Sequence, residues 1–325
     1  MAPPTGGRAR SMHNSAADSR NNPRMHTAHD TIAISSTALP AATRLIVGCG
    51  YLGTRVARRW LAAGDSVCGI TRSPTRAAEL AAIGITPIVC DVTAGPESPS
   101  WQTLRALPPF DTVFWAVGFD RASGKTHRDV HVTGLARLLD ALAGSPRVIL
   151  SSSTGVWGDE GGGVVTEDTP TNPSREAGRV LVEAESLLRS HAKGPGVALR
   201  FAGLYGPDRL PRLDDLRSGR PIAADPDSWL NLIHIDDAAA VVCAVAAAAT
   251  PQPLYVVSDG HPVQRSDWYG HLAAITGSPS PHWEPSLPRT RGADKRVDPA
   301  LLFRDLTIAL THPDPLRGID QVLGG

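Results

Sequence analysis

The residues best placed to do chemistry lie in one stretch, RLIVGCGYLGTRVARRWLAAGDSVCGITRS, where Gly48, Gly50 and Gly53 stand in the spacing G-x-G-x-x-G. An apolar run precedes them and an amphipathic run follows, so the glycines fall between a strand and a helix. In that context Gly48 permits a tight turn, Gly50 lets the backbone approach a pyrophosphate, and Gly53 lets the helix pack close to the strand. The helix N-terminus then turns its unpaired N–H groups toward the anion. Tyr51 and Leu52, inside the loop, join the candidate dinucleotide contacts. A carboxylate about 20 residues further on would hold the ribose hydroxyls of NAD, but the chain has Thr71, Arg72 and Ser73 there. A guanidinium beside two hydroxyls suits a 2′-phosphate, so NADP is the expected cofactor and NAD the alternative. Asp91 with Val92, and Ala116 with Val117 and Gly118, close two further apolar runs and extend the candidate cofactor contacts. The competing reading is a glycine turn without a ligand and an Arg72 that is a solvated strand end.

These groups converge only if parallel strands carry them to one sheet edge. Short β-rich runs at 44–47, 66–70, 85–90, 111–117, 147–151, 197–201 and 254–257 alternate with helical patterns near 51–63, 74–82, 125–143, 174–192 and 236–249. Short apolar strands alternating with helices imply an α/β fold, a Rossmann-type doubly wound parallel sheet covered on both faces. We expect a dinucleotide-binding domain over 43–201, completed by 229–257, and a small C-terminal substrate lobe from 202–228 and 258–325. Residues 1–42 are rich in Pro, Ser, Asn, Arg and His without apolar periodicity, and are expected to be a disordered extension. A flexible tail, a true start at Met12 or Met25, and a targeting segment are the alternatives for it.

Composition removes several function classes. Among 325 residues, Lys+Arg 32 balances Asp+Glu 32, which leaves no net basic charge for nucleic acid or an anionic membrane surface. The uncharged run from Ala238 to Ala249 is too short for a bilayer span, which needs about 20 residues. Cys49, Cys68, Cys90 and Cys243 show no CxxC pairing and suggest buried free thiols in a reducing, cytoplasmic setting. Only Lys125, Lys193 and Lys295 are lysines.

Beyond the glycine loop, several segments together resemble the extended branch of the short-chain dehydrogenase/reductase superfamily, the nucleotide-sugar epimerases and dehydratases. SSSTGVWG (151–158) is similar to that family's Ser-Ser-x-x-Val-Tyr-Gly, and AGRVLVEAE (177–185) to its Tyr-Gly-x-Ser-Lys-x-x-x-Glu helix. DVHVTGLARLLDAL (129–142), LRFAGLYGP (199–207), NLIHIDDAA (231–239) and ADKRVDPALLFRDL (293–306) follow in the family's order. The resemblance implies hydride exchange with a nicotinamide, a small sugar-nucleotide or other carbonyl/hydroxyl substrate, an adenine-contacting role for Asp91, and a homodimer as a weak expectation.

The same comparison exposes a departure. Ala177 stands where the family has its acid/base Tyr, and Leu181 where it has the Lys that lowers the phenol's pKa. The residues four places after Tyr51, Tyr205, Tyr255 and Tyr269 are Arg55, Arg209, Asp259 and Ala273, so no Tyr-x-x-x-Lys exists in the chain. The family's Ser is kept at Ser153, and its helical Asn corresponds to His131; these two are the candidate catalytic groups. No metal site is expected, and His234, Asp236 and Asp237 are read as bracing a helix start. Arg200 and Arg209 are either anion-binding or salt-bridged, and Gly161 to Gly163 form either a plain loop or a lid. Two functions remain: an NADP(H)-dependent epimerase/dehydratase-like oxidoreductase with an altered acid/base, or an inactive dinucleotide-binding sensor or scaffold.

Overall fold

The computed structural model describes residues 41–193, 196–287 and 293–324. The expectation for the N-terminal extension therefore falls almost wholly outside the described residues.

Among these, seven strands form one sheet: β1 Thr43–Val47, β2 Ser66–Thr71, β3 Thr86–Val89, β4 Thr112–Trp115, β5 Arg147–Ser153, β6 Gly196–Phe201 and β7 Leu254–Val257. Every pairing is parallel, and the order is β7-β6-β5-β4-β1-β2-β3. The order reverses between β1 and β4, the switch point at which an open α/β sheet opens a crevice beyond its strand C-termini. The doubly wound fold read from the sequence is present, and each of the seven anticipated strands is a strand.

Alternation along the strands explains why helices cover both faces. Ile46 and Phe114 face a cluster with helices Gly53–Ala62 and Ile235–Ala247. Leu45, Val47, Val113 and Trp115 face the opposite cluster, with helices Pro99–Arg105, Leu135–Ala141 and Glu176–Ser190. In the helix after the glycine loop, Gly53, Val56, Ala57 and Trp60 are buried, the stripe that an amphipathic helix presents to a sheet. Arg55 ties that helix to the start of the next one on the same face, with its Nε 3.2 Å from Asp236 Oδ1.

Residues 125–143, read as one helix, instead make a π turn over Asp129–Gly134 that leads into the helix Leu135–Ala141. A Cβ on Gly134 would lie 3.2 Å from Val92 O and 3.3 Å from the Trp115 ring, so this turn presses against the strand ends. A further apolar cluster, around Tyr205, Leu232, Trp268, Tyr269, Leu272 and Ile319, is built from the C-terminal half.

Candidate functional site

Two cavities open at the C-terminal ends of the strands. The smaller, about 450 Å³, is lined by Gly48, Gly50, Arg72, Asp91, Val92 and their neighbours. Its floor is the glycine loop, and each glycine there is explained by what a side chain would meet. Gly48 has φ +95°, and a Cβ on it would sit 2.7 Å from Ala116 O. A Cβ on Gly53 would sit 2.3 Å from Gly48 O, whereas one on Gly50 would meet nothing within 4 Å. Gly48 and Gly53 thus fold the loop, and Gly50 leaves its space open to the groove. That empty space beside a helix N-terminus fits a dinucleotide pyrophosphate.

Of the other sequence candidates, Val117 and Gly118 line this groove. Ala116 lies behind it, packed on the core. Leu52 is buried in the same core, and the Tyr51 hydroxyl donates to Pro207 O at 2.9 Å with Arg55 stacked on its ring. Asp91 accepts the Thr93 N–H and hydroxyl at 2.8 Å each. Arg72 is half-exposed and ion-paired with Asp120 across the groove mouth. The Asp120 carboxyl is held below its ordinary pKa, first by the Ala122 N–H and then by Arg72.

Two cations that no short motif announces also line this groove, Arg76 and Lys125. The Arg76 guanidinium reaches back to Cys49 O at 3.2 Å and Thr54 Oγ1 at 2.9 Å, locking the loop from outside.

The larger cavity, about 1060 Å³, runs from Ser151, Ser152 and Ser153 past Arg175 and Asn231 to Arg265 and Lys295. Ser153 Oγ accepts the Gly155 N–H at 3.1 Å, which fixes the turn after β5. The helix Glu176–Ser190 abuts that turn so closely that a Cβ on Gly178 would lie 2.4 Å from Gly155 O. Leu181, on the same helix, packs with Val182 against Val156, Trp157 and Val297. His131 lines neither cavity; burial pushes its imidazole down to about 4, and its Nδ1 has no hydrogen-bond partner among the described residues. Arg200 is likewise withdrawn from ligand duty, because it is buried in an ion pair with Glu185 at 2.8 Å. Arg209 lines the larger cavity with its guanidinium near the Tyr51 ring.

The glycine run is pinned by backbone bonds: Gly162 N donates to Asp294 O at 3.2 Å and Arg296 N to Gly163 O at 2.8 Å. Those bonds bring Lys295 inside. It is 4% exposed, and Nζ donates to Trp157 O at 3.4 Å and Gly158 O at 3.3 Å. Residues 286–297, SLPRTRGADKRV, carry several positive charges and could be read as a solvated turn or an anion-contacting loop; Lys295 is buried rather than solvated, and residues 288–292 lie outside the described residues.

His234, Asp237 and His312 place ligand-type atoms within 4.8 Å of one another. Hydrogen bonds within the protein engage each of these groups. Asp237 accepts the N–H groups of Thr311 and His312 at 2.8 Å, and His234 Nδ1 accepts Asp236 N at 3.3 Å. The imidazoles of His234 and His312 stack at 3.6 Å, so this cluster joins the helix Ile235–Ala247 to the C-terminal segment.

A model of the NAD dependent epimerase/dehydratase family matches residues 45–258. The chain belongs to this family. Its relatives include the Escherichia coli protein YeeZ, 32% identical over 282 residues that cover 83% of this chain and 96% of YeeZ. A solved candidate NAD-dependent epimerase/dehydratase of this family from Methylobacillus flagellatus is 30% identical, with TM-score 0.69 over 87% of this chain and 98% of its own. The fold is shared with UDP-glucuronic acid 4-epimerase from Bacillus cereus, solved with UDP-glucuronic acid and NAD, at 19% identity and TM-score 0.69 over 87% and 98% of the two chains.

Proposed function

We propose that this chain is an NADP(H)-preferring epimerase/dehydratase-like oxidoreductase that acts on a sugar nucleotide or a comparable anionic carbonyl/hydroxyl compound. The observation that carries this reading is the pair of cavities at the C-terminal ends of the strands. One is floored by a glycine loop with open space at Gly50; the other is lined by Arg175, Arg209, Arg217, Arg212 paired with Asp215, and the buried Arg265 held on Ser228, beside the acids Asp208 and Asp214. An excess of guanidinium groups around a cavity of this volume suits a diphosphate, which they bind bidentately. Proteins of the same fold solved with UDP-sugars and NAD support the substrate class.

When bound, the nicotinamide supplies hydride exchange. The chain's own groups do the rest. Gly48, Gly50 and the following helix hold the pyrophosphate, Asp91 and Val92 bound the adenosine end, and Arg72 with Ser73 faces the 2′-phosphate. Ser153 offers a hydroxyl to the reacting oxygen. The division of labour is a nucleotide-binding part over 43–201 and 229–257 and a substrate lobe over 202–228 and 258–325.

A second reading, an inactive dinucleotide-binding sensor or scaffold, is favoured by Ala177 and by Leu181, half-buried against apolar side chains. Titration of the purified chain with NADPH and NADH, followed by UDP-glucose and UDP-glucuronic acid with product analysis, separates the two. Tighter NADPH binding with substrate turnover is expected. Tight nucleotide binding without turnover favours the sensor, and tighter NADH binding overturns the NADP assignment.

A further inference from the structure

The family's chemistry needs a group that gives and takes a proton at the substrate oxygen, and the obvious carriers are absent. Ala177 and Leu181 have nothing to titrate, and His131 lies outside both cavities. Tyr269 lines the larger cavity, but burial moves its phenol further from neutrality, which makes it a poorer base. Asp208 and Asp214 sit exposed at the rim. Lys295 is different in burial, partners and support.

Its ammonium is enclosed in the wall that also holds Ser153 and Asn231, and its recorded partners are two main-chain carbonyls. Those bonds are long and use two of its three N–H donors. No described carboxylate lies within ion-pair distance of it. The backbone around it is held on three sides. Asp294 O accepts Glu160 N at 2.9 Å, Asp294 Oδ1 accepts Trp229 N at 2.9 Å, and the Asn231 amide donates to Lys295 O at 2.8 Å while accepting Val297 N at 2.8 Å. A long, flexible side chain set in so rigid a frame spends little entropy in reaching a fixed point, as a group in an active site must.

We propose that Lys295 is the acid/base residue of this chain, its Nζ exchanging a proton with the reacting substrate oxygen beside Ser153. The assignment rests on the larger cavity being the substrate site. In the oxidative direction the neutral amine takes the hydroxyl proton and becomes ammonium. The C–H bond gives its hydrogen and electron pair to the oxidised dinucleotide, and the oxygen's lone pair completes the C=O bond. The reductive direction returns both. Burial is the chief cause that brings the ammonium down to about 8. Arg265 and Arg175 act in the same sense, and Asp159 and Glu160 oppose them. The amine is therefore available in both protonation states near neutrality, which a solvated lysine is not.

The test uses the full chain grown with lysine carrying 13C at Cε. With three lysines in the sequence, Lys295→Met identifies the Lys295 signal. The expected result is a Lys295 titration centred near 8, and oxidation of a UDP-sugar whose kcat/KM rises with pH through the same value. Lys295→Arg keeps the charge but not a proton to give, so it should lower kcat by about 100-fold or more while NADPH binding is unchanged. A Lys295 signal that titrates in the ordinary lysine range, or a Lys295→Arg chain with wild-type turnover, overturns the assignment alone. A wild-type chain that binds NADPH and turns over neither UDP-glucose nor UDP-glucuronic acid overturns the enzymatic reading, and the role of Lys295 falls with it.

Discussion

Glu185 and Arg200 are joined by two parallel contacts inside the protein, Nε to Oε1 at 3.1 Å and Nη2 to Oε2 at 2.8 Å. The Ser152 hydroxyl donates to the same Oε1 at 2.6 Å, and the Arg200 guanidinium lies over the Trp157 ring at 4.7 Å. One carboxylate on the helix Glu176–Ser190 thus fixes β5 and β6 where they meet the floor of the larger cavity.

Replacing Glu185 by Leu leaves the Arg200 charge buried without a partner. Urea denaturation should show a loss of about 3–5 kcal/mol. The double variant Glu185→Leu/Arg200→Met should recover most of it, because removing both charges leaves no unpaired ion. Equal losses in the single and double variants would show that packing, not charge, dominates this site.

Gly48 and Gly50 are two residues apart and should respond to alanine in opposite ways. Gly48→Ala meets Ala116 O in a left-handed backbone and should destabilise the chain by about 2 kcal/mol or more. Gly50→Ala meets no protein atom, so its stability should stay within about 0.5 kcal/mol. Its methyl group enters the groove, and NADPH affinity should fall about tenfold or more. Thermal denaturation beside fluorescence titration reads both effects.

Arg72 is held by Asp120 in an exposed ion pair, and such pairs contribute little against water and salt. Arg72→Ala should therefore weaken NADPH about tenfold or more and leave NADH nearly unchanged. Asp120→Asn keeps an acceptor for the Ala122 N–H at 2.9 Å but removes the competing charge, so NADPH should bind a few-fold more tightly, within about fivefold. Paired NADPH and NADH titrations of both variants check this.

Acid should destabilise the chain through its buried imidazoles. Burial lowers His131 and His234 from 6.5 to about 4, so both are neutral in the folded protein. Unfolded histidine takes up its proton first as pH falls, and stability that is present above 6.5 is lost progressively down to about 4. The more deeply buried His131 carries the larger share of that loss. His131→Leu should make the slope of a urea series across those pH values measurably shallower, and an unchanged slope would remove His131 from this account.

The strands were legible because most of them, β1 and β4 to β7 above all, bury both faces and so read as apolar runs between turn residues, while the edge strand β3 keeps Ile88 buried and Val89 exposed. The glycine loop was legible because its three positions follow from one local turn. The π turn at Asp129–Gly134 was not, since β-branched Val130, Val132 and Thr133 fit any helical reading and the widening answers to the close approach of Gly134 to Val92 and Trp115. Lys295 was hidden for a different reason. Its surroundings come from Trp157, Gly158, Asn231 and Asp294, and nothing in the run GADKRV records that these will close around it.

The two cavities differ in how far along the chain their walls are gathered. Every residue that lines the nucleotide groove lies between Val47 and Val130, whereas the Lys295 contacts to Trp157 and Gly158 span 138 and 137 positions. During synthesis the nucleotide groove has all its wall residues before half the chain is made, while the larger cavity stays open until residues near 295 have emerged. Closing so long a loop comes late in folding. On the proposed assignment of the two cavities, a dinucleotide would find its groove complete early in synthesis, and the substrate cavity would close only once residues near 295 are in place.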